Sequence, residues 1–507
     1  MADEEKAGRD IGKNKQAYMN RLFCTTKERV SYILYTAFGN MTTGDFEPGG
    51  EIWINKIYNI SPKKFAQAKV GLSIYDMIND PLTAAIIDNM RTRWGKFKPF
   101  QWLSILPAII LGIFVAILPS LATTLAWDTG RKLFIYMVYL YVNETVNAFF
   151  GGGGHIKNVF TPNPNERTSL LVSANFVGDL MKKLPSQIMD ILWDLINNDV
   201  LKISKVKFVV GGKLIIWSLA MIPTILWYIN SRERVAQSEK PPQPIKGLIS
   251  VFRNRPLLVY TLSGLIDDIS LGSGGSLYYS DVLKFKTMTT IAGIPGSPIS
   301  YASYGFVTKL RKRFSTKTLW FLSRGTTFFR ETSFFLVGLI GGKNKGLYQK
   351  KLPMSLTFGI GNCLEMAFYA TRNVIGTEID YEVLDYCEWK NGYRVEATVE
   401  MMKGYFTKIQ RMIIDVINGS LLEDWVEYKG GEGSVQTQQA KYRLFVTAFG
   451  PKLIFDALCF IPMFFYNIDK NTRERMYLDL ERTRAARANS ELLKNASDDE
   501  LLDNNDA

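Results

Sequence analysis

Histidine is almost absent. His155 is the only one in the chain, so imidazole acid–base catalysis and histidine-built metal sites have almost no material to draw on. The cysteines are few and scattered. Cys24, Cys363, Cys387 and Cys459 include no pair at metal-ligand spacing and suggest no disulfide framework. No catalytic nucleophile set is visible either. The glycine run Gly151–Gly154 lacks the flanking residues of a phosphate-binding loop and reads as close packing or open space. These absences exclude most enzyme classes, and no enzyme activity is expected. The polar start, MADEEKAGRDIGKNKQ, is not a signal peptide, so the first apolar segment is expected to serve as the insertion signal.

What the sequence does have is long apolar runs. Leu103–Leu121 carries no charge over about 19 residues, enough for a helix to cross ~30 Å of hydrocarbon. Leu214–Tyr228 and Leu453–Tyr466 are shorter runs of the same kind. In lipid only helices and closed barrels satisfy every backbone polar group, and unbroken rather than alternating apolar runs select helices. Mean hydropathy is nonetheless only −0.01. Charged tails and loops dilute it, as do ionisable residues inside the spans, which face a cavity or a partner because lipid excludes them. The net charge of +13 comes from 61 Lys and Arg against 48 Asp and Glu. The basic residues flank apolar segments instead of covering one domain face, which fits a bilayer protein with positive cytoplasmic loops rather than a nucleic-acid binder.

The periodicity predicts about twelve spans, near 29–57, 64–90, 99–121, 129–160, 166–197, 206–230, 254–283, 286–310, 318–341, 351–381, 394–425 and 440–468. The expected fold is an all-α membrane protein with twelve transmembrane helices in two six-helix bundles. An N-terminal segment (1–28) precedes the first bundle (29–230), a Pro-rich charged linker (231–253) leads to the second (254–468), and a tail (469–507) follows. Basic clusters at Arg91, Arg93, Lys96 and Lys98, at Arg232 and Arg234, at Lys309–Arg313 and at Arg473 and Arg475 place both termini in the cytoplasm of a cell-membrane protein. The basic loop at Lys343–Lys351 runs against that trend.

The segment with most chemistry is Ser73–Phe100. Asp76 and Asp80 are four apart and so share a helix face, with Asn79 beside them and Pro81 freeing a carbonyl one turn earlier. Carboxylates and an amide oxygen suit a small hard cation. Each uncompensated charge at bilayer depth costs roughly 2.5–3.5 kcal/mol, so the pair needs a cation, a proton, water or a salt-bridge partner. The first span carries Asp45, Glu47 and Glu51 around Pro48-Gly49-Gly50, which should break the helix. The tenth carries Glu365 and Arg372, seven apart and on nearly one face; the arginine can neutralise the glutamate or pair with a solute carboxylate.

Ser73–Phe100 resembles the glycoside–pentoside–hexuronide:cation symporter family of the major facilitator superfamily, the melibiose permease-like transporters. The family pattern D-x-x-N-D-P is Asp76, Asn79, Asp80, Pro81; D-x-x-R-x-R-W-G-K-F-[KR]-P follows as Asp88, Arg91, Arg93, Trp94, Gly95, Lys96, Phe97, Lys98, Pro99. A second block, Glu378–Lys408, matches at Asp380, Tyr381, Lys390, Gly392, Arg394, Glu396 and Lys408. The resemblance implies a secondary transporter that carries a sugar, glycoside or similar small polar solute together with Na⁺ or H⁺. Asp76, Asn79 and Asp80 would be cation ligands, Lys408 a nearby counter-charge, and no cofactor is needed. A monomer is expected. Galactoside-binding members place carboxylates, an arginine and a tryptophan where this chain has Met41, Gly154, Asn175 and Phe368, so a galactoside is not the expected solute. Candidate solute contacts are Asp45, Glu47, His155, Asn175, Glu365, Phe368 and Arg372. Asp88, Arg91 and Arg93, with Glu388, Lys390 and Arg394, sit at cytoplasmic ends where cross-bundle salt bridges can gate. An amphiphile such as a lysolipid is the alternative cargo and would require an apolar cleft open to the bilayer.

Overall fold

The computed structural model describes residues 22–89, 92, 94, 97–151, 156, 160, 161, 164–234, 254–391, 396–431, 433–469, 471–480 and 482, and among them helices are the only regular structure. The long helices are α1 (Thr26–Gly39), α2 (Pro62–Asn89), α3 (Lys98–Thr124), α4 (Thr129–Gly151), α5 (Pro164–Asn197), α6 (Lys205–Asn230), α7 (Arg255–Asp267), α8 (Gly296–Arg313), α9 (Thr316–Leu339), α10 (Lys351–Ala367), α11 (Tyr369–Asn391), α12 (Glu396–Ser420) and α13 (Gln438–Leu458). Among the described residues four stretches, Lys98–Thr124, Thr129–Phe150, Lys205–Asn230 and Gln438–Phe464, are long and apolar enough to cross a membrane by length and composition.

Local chemistry sets the helix ends. Thr25 and Glu28 form a capping box at the start of α1, with Thr25 N–H donating to Glu28 Oε2 at 2.7 Å and Glu28 N–H to Thr25 Oγ1 at 3.3 Å. The chain then leaves the helix at Asn40, makes a short turn at Gly44–Phe46, and resumes as a wide turn at Trp53–Tyr58. Gly49 takes φ of 91°, and a side chain on Gly50 would meet the Asp45 carbonyl oxygen at 2.5 Å, so the predicted break at Pro48-Gly49-Gly50 is there. The span predicted at 351–381 is two helices meeting at Phe368. No proline causes this. The Ala370 N–H donates to Ser303 Oγ at 3.0 Å, a side chain from α8 replacing a rung of the helix ladder.

Two compact units result, interleaved in sequence. The first comprises Met1–Lys240, Gly272–Thr290 and Met412–Ala448; the second comprises Pro241–Leu271, Ile291–Arg411 and Phe449–Ala507. In the first, α1 packs on α5 and α6, α3 on α4 and α6, and α2 on α4. Its core includes Tyr32, Phe160 and Trp227, with the Tyr32 and Trp227 rings 5.0 Å apart. In the second, α8 and α9 pack on α10 and α11, around Leu257, Trp320, Ile375, Ile379, Val383 and Met463.

The basic end of the Ser73–Phe100 motif has a capping function in this fold. Lys98 donates from Nζ to the Ser231 carbonyl at 2.5 Å and to Ser231 Oγ at 3.0 Å, satisfying the C-terminus of α6. In return Glu233 accepts from the Phe97 and Lys98 N–H groups at 2.7 and 2.8 Å at the start of α3. A comparable knot holds the entry to α1. Glu166, buried in the first turn of α5, accepts from Phe23 N–H (2.9 Å), Cys24 N–H (3.0 Å), Thr161 Oγ1 (2.6 Å) and Arg29 (2.5 Å). Glu166→Ala removes the one acceptor that these four donors share. It is expected to destabilise the first unit by about 3–5 kcal/mol, read as a lowered unfolding midpoint of the purified protein.

Candidate functional site

The backbone is helical through Asp76, Asn79 and Asp80, so the spacing read from sequence is that of one helix face. Asn79 is buried, and its Nδ2 has no hydrogen-bond partner among the described residues. Its carbonyl accepts from Thr83 Oγ1 at 2.5 Å, while Tyr75 Oη and Thr145 Oγ1, 2.7 Å apart, tie α2 to α4. Asp80, Asp88 and Asn175 lie on helical backbone, the first two in α2 and the third in α5. Lys408 sits half-buried on α12. On α11, Glu388 is buried and Lys390 is exposed with its ammonium 4.2 Å from the Trp389 ring centre. His155, Arg91, Arg93 and Arg394 lie outside the described residues.

In the second unit buried Glu365 is the hub of a charge network whose other members are partly exposed. It accepts from Arg330, from Arg372 Nη1 at 2.6 Å and from Thr327 Oγ1 at 3.2 Å. Arg330 also pairs with Glu331, which has Lys452 at 3.8 Å, and Arg324 pairs with Asp267. Asp456 Oδ2 is buried without a hydrogen-bond partner among the described residues. Phe368 lies at the helix break three residues beyond Glu365, half-buried.

In the first unit the three carboxylates of the broken helix have separate partners. Glu47 pairs with Lys213 of α6 and accepts from Thr43 N–H at 2.8 Å. Glu51 accepts from Gly274 N–H and, at 2.8 Å, from Ser276 N–H. That loop can present both amides because Gly272 and Gly274 take φ of 137° and 97°. Asp45 accepts from Ser276 Oγ at 2.6 Å and pairs with Lys286, a side chain only 6% exposed. Lys286 also has Asp190 at 3.3 Å, while Asp194 holds the backbone N–H groups of Lys286 and Thr287, each at 2.8 Å. A second buried pair, Lys56 with Asp281 at 2.6 Å, receives the Tyr428 hydroxyl on Asp281 at 2.7 Å. Segment 272–290 is thus fastened to segment 45–56 by ion pairs and amide donors along its length.

A family model described as MFS/sugar transport protein matches residues 32–470. The chain belongs to the MFS/sugar transport protein family. The kinship with glycoside–pentoside–hexuronide:cation symporters read from the two sequence blocks is therefore borne out. An uncharacterised symporter of Bacillus subtilis is 23% identical over 84% of this chain and 88% of its own length. An isoprimeverose transporter of Lactiplantibacillus pentosus is 22% identical over 90% of this chain and 92% of its own. A putative sulfoquinovose importer of Escherichia coli is 22% identical over 69% of this chain and 71% of its own.

For a sugar-transport family member, the basic partners are the residues that motif reading passed over: Lys213, Lys286, Arg324 and Arg330. Each lies within or at the edge of a predicted span, where a cation is costly unless paired, and that position alone flags them. Lys286→Met leaves Asp45 and Asp190 without their shared cation. It is expected to cost roughly 3 kcal/mol, visible as a lowered unfolding midpoint. Combining it with Asp45→Asn should recover part of that loss, since a double-mutant cycle removes the orphaned charge.

Proposed function

We propose that the protein is a secondary active symporter that carries a sugar, glycoside or similar small polar solute together with Na⁺ or H⁺. It works as a monomer with twelve spans in two six-helix bundles and both termini cytoplasmic, by alternating access around a midplane site. The observation that carries the reading is the family match over most of the chain, with a relative named as an isoprimeverose transporter covered nearly end to end. The buried ionisable groups support it, since such residues inside apolar spans mark solute and ion paths. Asp76, Asn79 and Asp80 are the proposed cation ligands, with Lys408 as the counter-charge when no cation is bound. Cation and solute then strengthen each other's binding by the same factor, typically worth 1–3 kcal/mol. Asp45, Glu47, Asn175, Glu365, Phe368, Arg372 and His155 are the proposed solute contacts. Asp88, Arg91, Arg93, Glu388, Lys390 and Arg394 are proposed to gate the cytoplasmic side.

The test is uptake into proteoliposomes under an imposed Na⁺ or H⁺ gradient, for isoprimeverose and other glycosides, uronates and sulfosugars. Asp80→Asn is expected to abolish gradient-driven accumulation and leave the unfolding midpoint within a few degrees of the parent. Normal cation-stimulated accumulation by the variant overturns the cation-site assignment. Absence of gradient-driven uptake of the whole panel by the unmodified chain overturns the symporter reading.

A further inference from the structure

Inside the first unit lies a cavity of about 510 Å³, walled by α1, α3, α4 and α6 and capped at one end by the Glu47–Lys213 ion pair. Its size falls within the range of small-molecule sites. Complementary stripes on two helices create it. On α3, Ser104, Ala108 and Gly112 follow one another every four residues and form a strip of small side chains beside Leu111 and Val115. On α4, Tyr139, Asn143 and Asn147 follow the same period and line the cavity with a phenol and two amides. From α6 the Trp217 indole lies directly on Gly112, where any Cβ would overlap its nitrogen, so the ring forms a flat wall.

These groups are uncommitted. Among the described residues the side chains of Asn143, Asn147 and Tyr139 make no hydrogen bond to the protein, although they offer amide and hydroxyl groups around one space, while the Trp217 nitrogen edge rests on Gly112. Asn147 is exposed and Asn143, Tyr139 and Trp217 are half-buried, so their polar atoms stay open to a ligand instead of being closed off in the core. An amide is both donor and acceptor, and two of them one turn apart match neighbouring hydroxyls on a sugar ring. The ion pair adds charge-assisted contacts for a further hydroxyl, and the indole face suits the C–H face of the same ring. An apolar ligand would leave these donors unsatisfied, and a simple anion would leave the aromatic wall unused.

We infer that this cavity binds the glycosyl ring of a soluble solute, with Asn143 and Asn147 taking ring hydroxyls and Trp217 packing against its face. The inference rests on the sugar-transport reading above and adds a site that the sequence motifs do not mark: apart from Glu47 and Pro48, none of its lining residues was singled out in the sequence. Every lining residue belongs to one compact unit, so the site is complete within that unit.

The test uses the full chain in lipid nanodiscs, free of alkyl-glycoside detergent. Isoprimeverose, methyl β-D-glucuronide and sulfoquinovose are titrated by calorimetry and tryptophan fluorescence, with octyl β-D-glucoside as an amphiphilic control. One of the free sugars should bind and change the fluorescence. Asn143→Ala/Asn147→Ala should then weaken it about tenfold or more. Trp217→Phe should remove most of the fluorescence change, and Gly112→Ala, which displaces the indole, should weaken binding while the unfolding midpoint stays close to that of the parent. If the double variant does not fold, Trp217→Phe and Gly112→Ala decide the matter by themselves. Free-sugar binding unchanged within twofold in the folded variants overturns the cavity assignment and leaves the transport reading intact. Binding of octyl β-D-glucoside alone overturns the soluble-solute assignment in favour of an amphiphile. Binding of none of the ligands by the unmodified chain overturns the sugar reading and this inference with it.

Discussion

A charge at bilayer depth is tolerated only when something neutralises or solvates it, and most of the distinctive structure in this chain answers that requirement. Lys286 is nearly buried with Asp45 and Asp190 around it, Lys56 faces Asp281, Lys213 faces Glu47, and Glu365 is shared by Arg330 and Arg372. Replacing such groups with apolar ones of similar size is often neutral or stabilising, so stability alone is weak reason to keep them. The ion pairs that fasten segment 272–290 to segment 45–56 are of the same kind.

The helix interruptions are the backbone version of that constraint. A backbone group released from a helix ladder in a membrane must find another partner. The chain leaves α1 already at Asn40 and stays outside the α-helix through Pro48-Gly49-Gly50, and Glu51 then accepts the amides of the Gly274–Ser276 loop. At Phe368 the break has no proline or glycine, and Ser303 supplies the partner for the Ala370 amide. The Pro48-Gly49-Gly50 part of the first interruption is legible in composition, and its start at Asn40 is not. The second depends on a hydroxyl more than sixty residues away and has no local signature.

Helix positions followed from periodicity along the chain, reinforced by the apolar runs of α3 and α6, because a helix satisfies its backbone internally whatever its neighbours do. The expected spans at 64–90, 99–121, 166–197, 206–230 and 318–341 correspond closely to α2, α3, α5, α6 and α9. The family was legible as well. Its motif is contiguous and dense in unusual residues, and the match to residues 32–470 agrees with it. The motif's lysine at Lys98 had a local explanation only in three dimensions, where its ammonium closes the end of α6 and Glu233 closes the start of α3.

Residue spacing alone therefore determined the all-α membrane class, most helix boundaries, the family and the shared helix face of Asp76 and Asp80. Only tertiary structure decided which charges are partners. Lys286 reaches Asp45 across 241 residues of sequence and Lys213 reaches Glu47 across 166, separations that no local period encodes. The same holds for the cavity of the first unit. The four-residue periods of Ser104–Ala108–Gly112 and Tyr139–Asn143–Asn147 are each unremarkable alone and become a polar, aromatic space only when α3 and α4 face each other. Local periodicity sets what one helix can present; long-range packing sets what it is presented to.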